Sequence, residues 1–348
     1  MQDTFATLAS AAVERTLAFP GRFLENPLRA AALEWLLRRN AALDGAFYDV
    51  QVISDAETTR LAPWLAHEGA VVVTPPPGAG DLRVYEDLDA YVASDDWGAV
   101  RTLAVAGVGS SALGAAALAR NIAEARGEAV AAVVSGYGFA DLPTEALGGW
   151  LLFGGLNSLR HAFEGLDAVS RLFATNLAAM ELTDGVGLAR VSKDTATLAA
   201  ILARSDAGVD LLVGHSKGNL VISEALYGLK DREAARFKAL THACRVVTLC
   251  AKIDMPNGFR VIDVVGEYDL FGAMNSRPDI WSDVVVPHAW HSTNREFPFH
   301  LGLDVVAAMG EALAQLAQPP QNQPAPAPSP VPDLRKIAVR LLPMTAPA

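Results

Sequence analysis

What most restricts the fold of this chain is a recurring alternation. Short, β-branched and almost wholly apolar runs are each followed by a longer stretch whose apolar residues recur at helical spacing. Val-Asp-Leu-Leu-Val at 209–213 and Arg-Val-Val-Thr-Leu-Cys at 245–250 are runs of this kind. A strand apolar at consecutive positions has no face to offer water, so both faces must be covered, as in a parallel sheet flanked by helices. Strands are expected at about 48–53, 70–74, 101–106, 129–135, 209–213, 245–250, 260–266 and 283–287. Helices are expected notably at 111–126, 191–204, 217–229 and 299–316. The expected fold class is α/β, a doubly wound, mostly parallel, eight-stranded sheet.

A chain of 348 residues has room for one large α/β domain with additions. Residues 1–45 read as an N-terminal helical segment, with helices at 5–17 and 27–40 and Asn26-Pro27 as cap and first-turn proline. The sheet domain is expected over 46–316. Its fourth and fifth strands are separated by 136–208, far more than the dozen or so residues one crossover helix needs. A helical insertion is therefore expected at about 140–190, with Trp150, Phe153, Phe163, Phe173 and Met180 among its apolar residues. It either caps a site at the C-terminal edge of the sheet or packs on the sheet. Residues 317–348 read as an extended, disordered tail, Pro-rich over 317–333.

Acidic residues outnumber basic ones by 39 to 28, a formal net charge of −11. Such a surface repels phosphates, so no nucleic-acid partner is expected. Cys244 and Cys250 are six residues apart in one apolar run; on a strand they would share a face, too far apart to bridge. The start, Met-Gln-Asp-Thr-Phe, has no basic segment leading into an apolar one, and the cytoplasm is the expected compartment. Residues 102–119 carry no charge, but Gly107, Gly109, Ser110, Ser111 and Gly114 interrupt them. A strand, a glycine turn and a buried helix are expected there rather than a stable membrane insertion.

The most specific local pattern is Val-Asp-Leu-Leu-Val-Gly-His-Ser-Lys-Gly-Asn-Leu-Val-Ile, 209–222. An apolar strand enters Gly214-His215-Ser216-Lys217-Gly218 and a helical pattern leaves it. A serine on so sharp a turn needs small neighbours, which Gly214 and Gly218 provide, and the helix beginning at Lys217 turns its free amides towards that serine. A serine hydroxyl needs a base, and the base an orienting acid. The seventh run ends in Gly-Glu-Tyr-Asp, placing Asp269 just past the strand, with Asp263 and Asp254 as other carboxylates nearby. The eighth is followed by His288 and His291, with His300 at the start of the last helix. His291 is preferred because it lies a few residues past the strand. His300 is the reserve, and His288 follows Pro287 too closely. His215 is expected to point away from the serine as a packing residue.

The order strand–Gly-His-Ser-Lys-Gly–helix, strand–Gly-Glu-Tyr-Asp, strand–Trp-His-Ser resembles the α/β-hydrolase superfamily, in particular its lipases and esterases. The piece Arg-Val-Val-Thr-Leu-Cys-Ala-Lys-Ile-Asp-Met-Pro is similar to their sixth-strand segment. The resemblance covers about 100–316 and implies a nucleophile after the fifth strand, an acid after the seventh and a histidine after the eighth. It implies a serine esterase that cleaves small-molecule or lipid-like carboxylic esters through an acyl-enzyme. Acyltransferases and polyester depolymerases use the same three groups. It also implies an oxyanion hole built from the Lys217 amide and that of Val108 or Gly109. Here the chain departs from the lipase pattern, since Ala106 precedes Gly107 where a His-Gly pair would stand.

Two other classes compete. Gly107-x-Gly109 with Gly114 follows a strand and opens a helix, as a dinucleotide-binding loop of an oxidoreductase does, but the third glycine is displaced and the next strand ends at Ser135-Gly136 without a carboxylate for a ribose. A non-catalytic protein on the hydrolase scaffold is the other. No organic cofactor is expected, and no metal, because His288 and His291 have no third ligand in view.

Overall fold

A computed structural model describes residues 44–64, 67–107, 110–135, 193–276, 280 and 282–318. The helices expected at 5–17 and 27–40, the insertion at 140–190 and the tail beyond 318 lie outside the described residues.

Eight strands form one sheet in the order β2-β1-β4-β3-β5-β6-β7-β8. They are β1 (Val71–Thr74), β2 (Arg83–Tyr85), β3 (Thr102–Val105), β4 (Val130–Val133), β5 (Leu211–His215), β6 (Arg245–Leu249), β7 (Arg260–Gly266) and β8 (Val284–Val286). From β4 to β8 every pairing is parallel, while β1 runs antiparallel to both β2 and β4. The described chain is thus α/β with a mostly parallel sheet.

The sequence reading of the antiparallel edge is corrected. Residues 48–53 are not a strand but carry a 3₁₀ turn, Val50–Val52, whose backbone bonds close locally from Tyr48 to Asp44 and from Ile53 to Val50. Conversely β2 went unseen, because an edge strand half open to water, Arg-Val-Tyr, has no continuous apolar run. Arg83 of β2 is held by two bonds to Asp96, at 2.6 and 2.7 Å.

Alternate residues of the strands feed two cores. On one face Val72, Ala104, Ala132, Val213 and Val247 pack against α3 (Ala112–Arg126) and α8 (Val305–Ala317). On the other, Val73, Leu103, Val105, Leu212 and Val246 pack against α4 (Lys193–Ala203) and α5 (Lys217–Arg232). Of the remaining helices, α1 spans Asp55–Leu61, α2 Leu88–Val92, α6 Ala234–Ala243 and α7 Leu270–Asn275. Alanine fills α3, so it lies close to the sheet and every residue from Ala112 to Ala123 is buried. Its Arg120 is sealed in with Glu57 of α1 as partner and donates to the Pro75 carbonyl at 2.9 Å, which is what a buried charge requires.

The two cysteines do not share a face. Both are free and buried, but Cys244 lies in the core against α4 and α5, and Cys250 in the core against α3 and α8. They flank β6 rather than belong to it, and Cys250 turns into the left-handed region at φ 60°, which breaks the two-residue alternation. The uncharged stretch 102–119 divides into β3, a loop and the first half of α3, and no helix among the described residues is long and apolar enough to cross a membrane.

Candidate active site

Winding reverses between β3 and β5. From β3 the chain crosses to β4 on one side, covered by α3, and β5 lies on the other, followed by α5 on the opposite face. The strand order thus changes direction between β3 and β5, the kind of switch point at whose carboxyl edge doubly wound sheets bind ligands.

Ser216 sits there, between β5 and α5, at φ 54° and ψ −120°, a conformation L-residues rarely adopt and that costs about 1–3 kcal/mol. The turn is held from β6: Ser216 donates its amide to the Leu249 carbonyl at 2.9 Å, and the Asn219 side chain donates to the carbonyls of Leu249 and Ala251 at 3.0 and 3.1 Å. The flanking glycines leave no room for a side chain. A Cβ at Gly214 would lie 2.2 Å from Asn219 Oδ1, and one at Gly218 would lie 2.1 Å from the Val105 carbonyl oxygen. Since that carbonyl belongs to β3, relief at 218 requires α5 to move off the sheet. Gly218→Ala is expected to lose about 1–3 kcal/mol. Denaturant titration should show a lower midpoint at unchanged slope.

Three side chains from three strand ends meet at this point. Ser216 Oγ lies 3.0 Å from His291 Nε2, and His291 Nδ1 lies 2.8 Å from Asp269 Oδ1 and 3.1 Å from Oδ2. All three residues are buried, His291 completely. An ionised carboxylate only accepts, so it selects the tautomer with the proton on Nδ1, and in that neutral ring Nε2 is the acceptor for the serine O–H. Asp269 is itself fixed, capping α7 by accepting from the Gly272 amide at 2.6 Å and accepting from the Cys250 thiol. His291 is carried by a loop pinned through Trp290 to Leu301 and through Leu303 to Ser292, both at 2.7 Å. Phe47 and Phe271 stand at steep angles to its ring, 89° and 72°, with centroids 6.2 and 6.1 Å away.

The other candidates, including the reserve His300, lie elsewhere. His288 is exposed against Tyr268, and His300 is exposed in the 3₁₀ turn Pro298–His300. Asp254 bonds Tyr227, at 3.4 Å. Asp263 lies opposite Thr248 in the sheet interior and accepts its hydroxyl. Burial pushes the Asp263 carboxyl up to about 7 from the usual 3.8, against the Thr248 bond and helped by the charge of Asp283. Between those values the folded chain keeps a proton that the unfolded chain has released, so this group makes stability fall as pH rises from about 4 to about 7. Asp263→Asn is expected to remove that slope. Its melting temperature should match the parent's near pH 4 and exceed it by about a few degrees at pH 8. Parallel curves for parent and variant would mean that no proton is held there.

Behind the serine, the loop leaving β3 is fastened by residues that sequence reasoning missed. The buried Tyr48 hydroxyl accepts from the Gly107 amide at 2.6 Å and meets His215 Nδ1 at 3.0 Å. His215 Nε2 meets the His291 carbonyl oxygen at 3.1 Å. His215 is thus a hydrogen-bonded residue, not simply a packing one. Asp44, wholly buried, accepts from the Ser111 amide at 3.1 and 3.2 Å, from its hydroxyl, and from the Gly114 amide. Burial pushes its carboxyl up to about 7 against these bonds. Nothing near Asp44 or Tyr48 in the sequence signals these roles, because their partners are 59 to 167 residues away.

Asp44 also bears on the dinucleotide alternative. The α3 N-terminus, where a pyrophosphate would rest, is filled by the chain's own carboxyl, and a Cβ at Gly114 would lie 2.2 Å from it. Val108 and Gly109, the expected second oxyanion donors, lie outside the described residues.

Ligand-type atoms of Cys250, Asp269 and His291 lie within 4.8 Å of one another. Burial first and then the charge of Asp269 push the Cys250 thiol well up. These atoms bond one another. No family model, curated protein or solved structure matches the chain.

Proposed function

We propose that the chain is a serine hydrolase on an α/β-hydrolase scaffold, cleaving carboxylic esters through an acyl-enzyme. The observation that carries this reading is the 3.0 Å contact between Ser216 Oγ and His291 Nε2, with the opposite ring nitrogen held 2.8 Å from Asp269 Oδ1. In this reading His291 takes the serine proton as Oγ attacks the ester carbonyl and returns it to the departing alcohol oxygen. Water then repeats the sequence on the acyl-enzyme. Asp269 holds the tautomer and stabilises the imidazolium.

The developing oxyanion is received by the Lys217 amide in the first turn of α5 and by a second amide from the loop after β3. The resemblance implies Val108 or Gly109 for that second amide, while the described amides of Gly107, Ser110 and Ser111 are given to Tyr48, Gly107 and Asp44. The aromatic rings of Phe47 and Phe271 beside the imidazole support an ester with an apolar, small-molecule or lipid-like part.

The test is turnover of p-nitrophenyl esters of increasing acyl length together with labelling by a fluorophosphonate. Labelling at Ser216 and a chain-length optimum are expected. A folded protein that neither turns over esters nor takes the label would favour the non-catalytic scaffold.

A further inference from the structure

We infer that Tyr48 and His215 are positioning residues for this reaction: they form one directed hydrogen-bond chain that ties the loop after β3, through the residue before the nucleophile, to the backbone of the base. The inference rests on the serine-hydrolase reading.

Directions in the chain follow from the acceptor at its end. The His291 carbonyl cannot donate, so His215 Nε2 carries the proton and donates to it across 3.1 Å. His215 is neutral: burial, and then the neighbouring His291, hold its basicity down to about 3. Its Nδ1 is therefore an acceptor, and Tyr48 must be the donor across 3.0 Å. The Tyr48 oxygen in turn accepts the Gly107 amide at 2.6 Å. No link reads in the other direction, and both side chains are sealed, with exposures of 2 % for Tyr48 and 1 % for His215.

The chain connects the parts that must stay in register. Gly107 abuts the nucleophile, since a Cβ there would lie 3.0 Å from Ser216 Cβ. His215 is covalently joined to Ser216 and grips the backbone of the residue that activates it. A relaxed His291 loop would lengthen the serine contact, and misplacement by about 1 Å can lower a rate by about 10²-fold. Keeping His215 neutral matters as well, because its ring centroid is 5.3 Å from that of His291, which becomes a cation during acyl transfer.

The test uses the full chain with p-nitrophenyl butyrate, and rates are divided by the number of active sites titrated to endpoint with a fluorophosphonate. Tyr48→Phe keeps the ring and removes the hydroxyl bonds to Gly107 and His215; its kcat per site is expected to fall about tenfold with KM within about twofold. His215→Leu is expected to fall about 100-fold per site. In His215→Gln the side-chain amide still reaches the His291 carbonyl, so this variant should recover much of that loss. A buried pair that only stabilises the fold would lower the melting temperature and the number of titratable sites while leaving kcat per site at the parent value; that result overturns the inference and leaves the hydrolase reading standing. Glutamine performing no better than leucine overturns it too. Should His215→Leu not fold, Tyr48→Phe and His215→Gln decide the matter. Absence of label and turnover in the parent itself would remove the hydrolase reading and the inference together.

Discussion

Ser216→Ala should reduce ester turnover by about 10⁶-fold in kcat while leaving the protein folded. The proposed reaction forms its covalent bond at Oγ, and none of the groups around it can replace that oxygen. Alanine keeps the Cβ that packs on Gly107, and it keeps the φ of 54°, so neither the strain of the turn nor its bond from the Ser216 amide to Leu249 is altered. Melting temperature and far-ultraviolet circular dichroism should therefore match the parent, and fluorophosphonate labelling should vanish. Any residue of activity would reflect binding and the oxyanion donors alone, which on their own give about 10³–10⁴ over water. Near-parental turnover by the alanine variant would remove Ser216 from the mechanism.

The second large effect is expected for Asp269→Asn, a loss of about 10⁴-fold in kcat with KM little changed. Asparagine preserves shape and can still accept the Gly272 amide through its oxygen. Its –NH₂ takes the Oδ2 position, 3.1 Å from His291 Nδ1, where it favours that nitrogen as an acceptor, and the charge that stabilises the imidazolium is lost. The ring proton moves to Nε2, 3.0 Å from the serine hydroxyl, and the base can no longer take that proton. Steady-state kinetics with p-nitrophenyl butyrate near pH 7.5, set beside an unchanged melting temperature, separate this from simple misfolding. Parental activity would point to a different acid. The structure offers none in reach of His291 among the candidates weighed, since Asp263 is bonded to Thr248 inside the sheet and Asp254 to Tyr227.

Much of the parallel half of the sheet was legible because buried parallel strands must be apolar at every position, and β3 to β7 announce themselves as such runs. The antiparallel edge was not. There β2 is half exposed and short, and its pairing with β1 is set by tertiary packing rather than by any pattern of its own. The strand count came to eight in sequence and structure alike only because a false strand at 48–53 and the missed β2 offset each other. Short helices such as Leu270–Asn275 escaped for a related reason: six residues are too few for a helical period to show.

The candidate site divides in the same way. Ser216, Asp269 and His291 could be picked out because each follows an apolar run at a turn, and turns carry local residue chemistry. Their separation in space was not readable, nor was the scaffold behind them. Asp44 capping α3, the Tyr48–His215 chain and the Cys250 bond to Asp269 join residues that have no sequence relation. Amino-acid order by itself determined which segments are buried strands, where the chain turns sharply, and which residue types stand at those turns, since these depend on apolar periodicity and on small residues within a few positions. Only the tertiary structure decided which turn meets which, because winding reverses between β3 and β5, and that reversal is an outcome of how helices cover the two faces of the sheet rather than of any local run of side chains.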